Sequence, residues 1–221
     1  MATIASGLQA VKQQIEKTAE GPVALLAVSK TWPAEAVREA HRAGQKAFGE
    51  SYVQEALEKM KALSDLDLEW HFIGPIQSNK TGLIAENFDW VHGVDRERIA
   101  LRLSRARPES MPPLQVCIQV NVSGEASKSG IEPEKVLSLA NYISGLARLK
   151  LRGLMAIPEP TNDPRLQRAR FAEVRRLKEM LSESGFDLDT LSMGMSGDFE
   201  SAIIEGATII RIGSAIFGTR T

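Results

Sequence analysis

The sequence contains one cysteine, three histidines and few aromatic residues, and these shortages exclude several kinds of site. Cys117 has no second cysteine with which to form a disulfide or a thiolate metal site, so we expect a reducing cytoplasm and no metal. The 27 lysines and arginines nearly balance the 28 aspartates and glutamates, and no block carries one sign. A nucleic-acid partner is therefore not expected.

Long apolar runs are absent too, and no run approaches the roughly 20 residues that cross a bilayer. Residues 1–20 lack the basic and apolar regions of a signal peptide. They instead place four apolar side chains on one face of a predicted amphipathic helix, namely Ile4, Leu8, Val11 and Ile15. We expect no membrane partner.

The chain does contain eight short apolar runs that alternate with helical patterns. The runs are residues 23–30, 46–50, 69–74, 89–94, 114–121, 149–157, 191–196 and 208–214. Apolar strands separated by helices predict a parallel sheet covered by helices. Eight such units favour a closed (β/α)8 TIM-type barrel, with the first helix preceding it and one domain spanning residues 1–221.

Two turns rich in small residues follow the seventh and eighth strands, where such barrels often bind phosphate. The turn after the seventh strand contains Ser196 and Gly197, and the turn after the eighth contains Gly213 and Ser214. Hydroxyl groups and backbone amides in two such turns can point at one anion, which favours a phosphate. The alternative is that these residues only make tight connections.

Lys30 ends the first strand, which should lie beside the eighth when the barrel closes. An amine that loses hydration at the rim of an apolar strand is better able to attack a carbonyl carbon, so Lys30 is a candidate for a Schiff base. The alternative is a lysine held in an ion pair. Arg211 lies within the run "TIIRIG" and needs an acceptor, either an aromatic nitrogen of a cofactor or a carboxylate.

A lysine for an aldehyde, two turns for a phosphate and an arginine for a ring nitrogen together describe pyridoxal 5'-phosphate (PLP). Met193 and Met195 alternate with a glycine, so either can pack near the ring or in the core. His71 and His92 lie on the third and fourth strands and are candidates for acid–base or structural roles.

Seven motifs in order resemble the pyridoxal phosphate homeostasis protein family, also called the YggS/PROSC proteins. The motifs are "AVSKT", "FGESYVQEA", "WHFIGPIQSNK", "SKSGI", "LRGLMAIP", "LSMGMSGDFESAI" and "RIGSAIFGTR". The resemblance covers almost the whole chain, and the fold of that family is like the N-terminal barrel of alanine racemase.

The resemblance implies roles for individual residues of this chain. Lys30 would be the Schiff-base lysine and Arg211 the partner of the pyridine nitrogen. Ser196, Gly197, Gly213 and Ser214 would hold the phosphate. Ser51 replaces the asparagine that is usual in the family, and its shorter hydroxyl can reach the cofactor through a water. Ser214 replaces a common threonine and keeps the hydroxyl.

Three functions are compatible with these residues. The first is a PLP-binding protein of intracellular vitamin B6 homeostasis with little or no turnover, a monomer that has PLP-dependent apo-enzymes as partners. The second is a PLP-dependent racemase or lyase, which needs a further acid–base group, for which Tyr52 and His71 are the candidates. The third is a Schiff-base aldolase that acts on a sugar phosphate without a cofactor, and it leaves Arg211 unexplained.

Overall fold

Eight parallel strands form a closed barrel in the order of the chain, from β1 to β8. The computed structural model describes residues 3–123 and 129–219. Part of the "SKSGI" motif (127–131), namely its first two residues, and the last two residues of the chain lie outside the described residues. The predicted (β/α)8 barrel with a preceding helix is confirmed.

The strands are β1 (Ala24–Val28), β2 (Ala47–Glu50), β3 (Glu69–Phe72), β4 (Trp90–Val94), β5 (Leu114–Val120), β6 (Leu149–Ala156), β7 (Thr190–Ser192) and β8 (Ile209–Ile212). The helices are α1 (Ile4–Thr18), α2 (Ala34–Arg42), α3 (Val53–Ala62), α4 (Thr81–Asn87), α5 (Glu97–Ala106), α6 (Val136–Ser144), α7 (Pro164–Glu183), α8 (Phe199–Ile204) and α9 (Ser214–Phe217). Short 3₁₀ segments at Ser78–Lys80 and Pro133–Lys135 precede α4 and α6.

The amphipathic helix α1 covers the outside of the barrel close to the junction of its first and last strands. Thr3 caps it, because the Thr3 hydroxyl oxygen accepts a hydrogen bond from the backbone N–H of Ser6. Its apolar face buries Leu8, Val11 and Ile15 against the neighbouring helices. Burial of this face, more than helix propensity, holds such a segment in place.

The buried apolar residues form two clusters separated by the barrel wall. The larger cluster lies between the strands and the surrounding helices. The smaller one fills the barrel interior and consists of Leu26, Trp90, Cys117, Met155 and Ile209. Since side chains alternate along each strand, every second residue of these strands points inwards.

Across the described ranges, no helix combines the length and the apolar character that crossing a bilayer demands.

Truncation of a leucine between helix and barrel should destabilise the fold. Leu103 of α5 is fully buried, so Leu103→Ala should lower the free energy of unfolding by about 2–5 kcal/mol through lost burial and a residual cavity. Leu166 of α7 is 41% exposed, so the matched change Leu166→Ala should cost less than about 1 kcal/mol. Urea denaturation followed by circular dichroism measures both, and equal costs would contradict this packing.

Candidate cofactor-binding site

A cavity of about 590 Å³ opens at the C-terminal ends of the strands, the end that carries function in barrels of this kind. Its volume is within the range of small-molecule sites. Its lining comes mainly from β1, β8 and the segments that follow β2, β6 and β7. The lining residues are Val28, Lys30, Trp32, Ser51, Ile73, Ile157, Met195, Ser196, Gly197, Arg211, Gly213, Ser214, Gly218 and Thr219.

Most of the residues singled out in the sequence meet in this cavity. They are Lys30, Ser51, Ser196, Gly197, Arg211, Gly213 and Ser214. The cause is the closure of the barrel, which pairs Leu26 of β1 with Arg211 of β8. This register brings the end of β1, where Lys30 follows, beside the end of β8, where Gly213 follows.

Met193 does not line the cavity, and its place is taken by Met195. Met193 is fully buried in the cluster between barrel and helices, on the outer face that Leu191 also occupies. The alternation ends at Gly194, whose φ of +96° lies in the left-handed region that favours glycine. The predicted strand 191–196 therefore stops at Ser192, and the chain turns before it delivers Met195 to the mouth.

The two small-residue turns approach each other across the cavity mouth. The Ser214 hydroxyl donates a hydrogen bond to the Ser196 hydroxyl oxygen over 3.2 Å. The first turn is fixed by Asp198, whose carboxylate accepts from the backbone N–H of Met195 over 2.6 Å. Gly213 leaves little space, because a Cβ there would lie 3.2 Å from the Val28 carbonyl oxygen.

Arg211 points into the barrel and is 3% exposed. One Nη atom donates to the Ser192 hydroxyl oxygen over 2.8 Å and also to the Ser192 carbonyl, and the other donates to the Ala156 carbonyl over 2.9 Å. Burial lowers the pKa of the Arg211 guanidinium to about 10, so it stays protonated at neutral pH. The hydrogen-bond acceptors of Arg211 in the described residues are neutral, and the Asp198 carboxylate acts on the guanidinium only through its charge.

A buried ionic cluster lies behind Lys30, on the outer side of the barrel wall. The Lys59 ammonium donates to the Glu50 carboxylate over 2.7 Å and to the Ser29 carbonyl over 2.7 Å. The Ser29 hydroxyl donates to the same Glu50 oxygen over 2.6 Å. Burial raises the pKa of the Glu50 carboxyl, and the nearby Lys59 charge opposes that shift. The residue before Lys30 is thus held through both its carbonyl and its side chain.

The residue after Lys30 is held by the same cluster. Thr31 has a φ of +70°, a left-handed conformation that is costly for a β-branched residue. Its backbone N–H donates to the Glu55 carboxylate, and that same carboxylate oxygen accepts from Lys59 over 2.6 Å. The cluster therefore stabilises a strained turn whose central side chain is Lys30.

Sequence reasoning missed Glu50, Glu55 and Lys59. The available signal was weak, since Glu55 and Lys59 form an ordinary pair four residues apart on α3 and Glu50 looks like the polar end of a strand. Their contact with the Lys30 turn depends on how α3 packs over β1 and β2, which local patterns do not report.

The two candidates for an additional acid–base group do not lie in the cavity lining. His71 is inside the barrel, where its ring stacks on Trp90 with 5.3 Å between the centroids. Tyr52 is 55% exposed and precedes α3. His71 cannot supply this group at the mouth, because its ring lies inside the barrel between His92 and Glu69.

The chain is similar to known proteins over nearly its whole length. Residues 6–221 match the family model described as "Alanine racemase, N-terminal domain". The "Pyridoxal phosphate homeostasis protein" of Pseudomonas aeruginosa is 59% identical, and the match covers 100% of this chain and 97% of that protein. The protein of the same name from Vibrio cholerae is 55% identical, with 100% and 98% covered.

Two solved structures of PipY from Synechococcus elongatus PCC7942 share the fold at 40% sequence identity. The structure without PLP has a TM-score of 0.90, and the structure with PLP bound has a TM-score of 0.88. Both matches cover 98% of this chain and 100% of that chain.

Removal of the buried ammonium behind Lys30 should destabilise the protein strongly. Lys59→Met leaves two carboxylates without their shared cation, so we expect a loss of about 3–5 kcal/mol in the free energy of unfolding at pH 7. Lys61→Met alters an exposed position of the same helix and should change it by no more than about 0.5 kcal/mol.

The pH dependence of that loss identifies its cause. In Lys59→Met, protonation of the buried Glu50 removes the unpaired charge, so the loss should shrink as the pH falls. The double variant Lys59→Met/Glu50→Gln should recover part of the stability at pH 7. A loss that is independent of pH and of Glu50 would contradict this explanation.

Proposed function

This chain belongs to the pyridoxal phosphate homeostasis protein family, and on this basis we propose that it holds PLP at Lys30 as a Schiff base, with little or no catalytic turnover. It is a PLP-binding protein involved in PLP (vitamin B6) homeostasis. The observation that carries the proposed site is the convergence of an amine, two hydroxyl-bearing turns and a guanidinium on one cavity.

The donor set of the cavity fits PLP group by group. PLP supplies an aldehyde that condenses with a primary amine and releases water. The Lys30 amine meets that requirement at the centre of a turn whose two neighbours are fixed. The Ser196 and Ser214 hydroxyls, already 3.2 Å apart, provide donors for the phosphate oxygens, together with the amides of Gly197 and Gly213.

Arg211 is proposed to donate to the ring nitrogen of the cofactor. A guanidinium has no acceptor capacity and keeps its protons, so it leaves the ring nitrogen unprotonated. An unprotonated ring withdraws electrons weakly, which suits a holding role better than carbanion chemistry. Ser51 lines the same cavity, where its hydroxyl is proposed to reach the cofactor through a water.

The lining favours a binding protein over a racemase. A racemase needs acid–base groups on both faces of the α-carbon, and neither Tyr52 nor His71 lines the described part of the cavity. The close relatives carry the name of a homeostasis protein. PLP-dependent apo-enzymes as recipients, a monomeric state, a single domain and a cytoplasmic location stay predictions.

The proposed anchor is tested by titrating the protein with PLP and following the visible absorption band of a Schiff base. Lys30→Ala should abolish the band, whereas Lys46→Ala, at an exposed lysine at the opposite barrel end, should retain it. Ser214→Ala should raise the dissociation constant about tenfold or more, because one hydrogen bond to the charged phosphate is lost. A full band in Lys30→Ala would contradict the assignment.

The absence of turnover is tested separately by incubating the PLP-loaded protein with a panel of amino acids in deuterated water. We expect no more exchange of the α-proton than free PLP produces at the same concentration, because Lys30 is the only base in the described lining and the proposed unprotonated ring nitrogen makes the cofactor a weak electron sink. Nuclear magnetic resonance measures the exchange. Exchange at rates of about 1 per second or faster would instead indicate an enzyme.

A further inference from the structure

A chain of hydrogen-bonded side chains runs through the barrel interior from Arg211 to the opposite end. The Ser192 hydroxyl, which accepts from Arg211, lies 2.7 Å from His92 Nδ1. His92 Nε2 lies 2.9 Å from His71 Nδ1, and His71 Nε2 lies 2.6 Å from the Glu69 carboxylate. Four strands contribute to this chain, and every link is of hydrogen-bond length.

The two ends of the chain face different environments. Arg211 lines the cavity at the barrel mouth, whereas Glu69 is the first residue of β3 and lines a cavity of about 420 Å³ at the other end. The Glu69 side chain is 51% exposed. Ser192 and His92 are fully buried and His71 is 2% exposed, so the chain meets water only near Glu69 and at the mouth.

The carboxylate sets the direction of the hydrogen bonds at the lower end. An ionised Glu69 accepts only, and the hydrogen bond with His71 lowers the pKa of the Glu69 carboxyl, which favours that ionised form. His71 therefore donates from Nε2, and a ring that carries this one proton presents Nδ1 as an acceptor. His92 must then donate from its own Nε2.

The same direction also satisfies the upper end. With its proton on Nε2, His92 has a bare Nδ1, so the Ser192 hydroxyl donates to it. The Ser192 oxygen then presents its lone pairs to Arg211, which only donates. A second proton on His71 Nδ1 would reverse the hydrogen bond between the two rings, place the His92 proton on Nδ1 and deprive the Ser192 proton of this acceptor. Burial and, to a lesser extent, the nearby charge of Arg211 lower the pKa of His92, which favours the neutral form of that ring.

We propose that Glu69 is a positioning residue for Arg211, acting across the barrel through His71, His92 and Ser192. Each side chain of the chain presents its accepting atom on the side nearer Arg211, so aligned dipoles carry the influence of the Glu69 charge across the barrel. The guanidinium that receives it has only neutral hydrogen-bond acceptors among the described residues. This proposal rests on the proposed function, in which Arg211 binds the ring nitrogen of PLP. The chain fixes the direction of the remaining N–H donors of Arg211 and so supports cofactor affinity.

Other charges face the lower half of the chain and belong to the same electrostatic environment. Arg152 of β6 stacks over Trp90 at 4.7 Å and lowers the pKa of Glu69 further, while itself paired with Asp189. Asp89 lies before β4, and burial raises the pKa of its carboxyl. Arg107 faces Asp89 and donates to the Ala85 and Phe88 carbonyls.

The proposal is tested in the cofactor-free protein by nitrogen-15 magnetic resonance of the imidazole rings at pH 8. Only three histidines contribute, and the third is a built-in reference, because His41 Nδ1 faces a carbonyl and must carry a proton there. We expect Nε2 of both His71 and His92 to carry a proton and Nδ1 of both rings to be bare. A proton on Nδ1 of either ring would overturn the proposal.

Variants test whether the direction originates at Glu69. Glu69→Gln offers both a donor and an acceptor, so both His71 and His92 should become mixtures of tautomers. Asp67→Asn removes a charge from the same rim at a 97% exposed side chain and should leave both rings unchanged. If the nitrogen signals of His92 are the same with and without Glu69→Gln, the chain does not transmit the hydrogen-bond direction from Glu69 to His92.

Cofactor affinity supplies the second measurement and separates this proposal from the proposed function. Glu69→Gln should raise the PLP dissociation constant about two- to thirtyfold. In a Ser192→Ala background, which interrupts the chain, the same change should have no effect. Equal effects of Glu69→Gln in both backgrounds would overturn the proposal. Failure of every form to bind PLP would refute the proposed function. In that case the tautomers of His71 and His92 alone would decide whether Glu69 sets the direction of the hydrogen bonds.

Discussion

The pairing of β1 with β8 is the constraint on which the site depends. Closure of the barrel sets Leu26 beside Arg211, and the chain then leaves both strands at the same end of the barrel. The functional groups of the site meet there because the strands are parallel and in this register. They are the Lys30 amine, the Arg211 guanidinium and the hydroxyls of Ser196 and Ser214. A slip of β8 by one residue would turn Arg211 out of the barrel.

Charges near the mouth are held on both sides of the barrel wall. On the outer side, Lys59 bridges the carboxylates of Glu50 and Glu55, and the cluster fixes the residues that flank Lys30. On the inner side, the chain that starts at Ser192 connects Arg211 with Glu69. Buried charges are expensive unless they are paired and hydrogen-bonded, so both arrangements restrict the cavity to a narrow set of conformations. Such rigidity suits a protein that holds a cofactor.

Most of the fold and much of the site could be predicted from the sequence. The eight apolar runs and the helices between them indicate a barrel, and a period of two places Arg211 and Gly213 on one face. Met193 does not reach the cavity because the alternation that turns Ser192 inwards turns Met193 outwards, and Met195 reaches it because the left-handed Gly194 ends that alternation. Lys59 and the histidine chain escaped prediction, since their contacts join strands and helices far apart in sequence. Such contacts depend on tertiary packing, which no local pattern reports.

The most direct measurement is peptide mass mapping after the PLP-loaded protein has been reduced with borohydride. Reduction makes the bond between cofactor and amine permanent, so the modified lysine can be located along the chain. The pyridoxyl mass should appear on the peptide that contains Lys30. A modification confined to another lysine, such as Lys59 or Lys46, or no modification at all, would contradict the assignment of Lys30 as the residue that holds the cofactor.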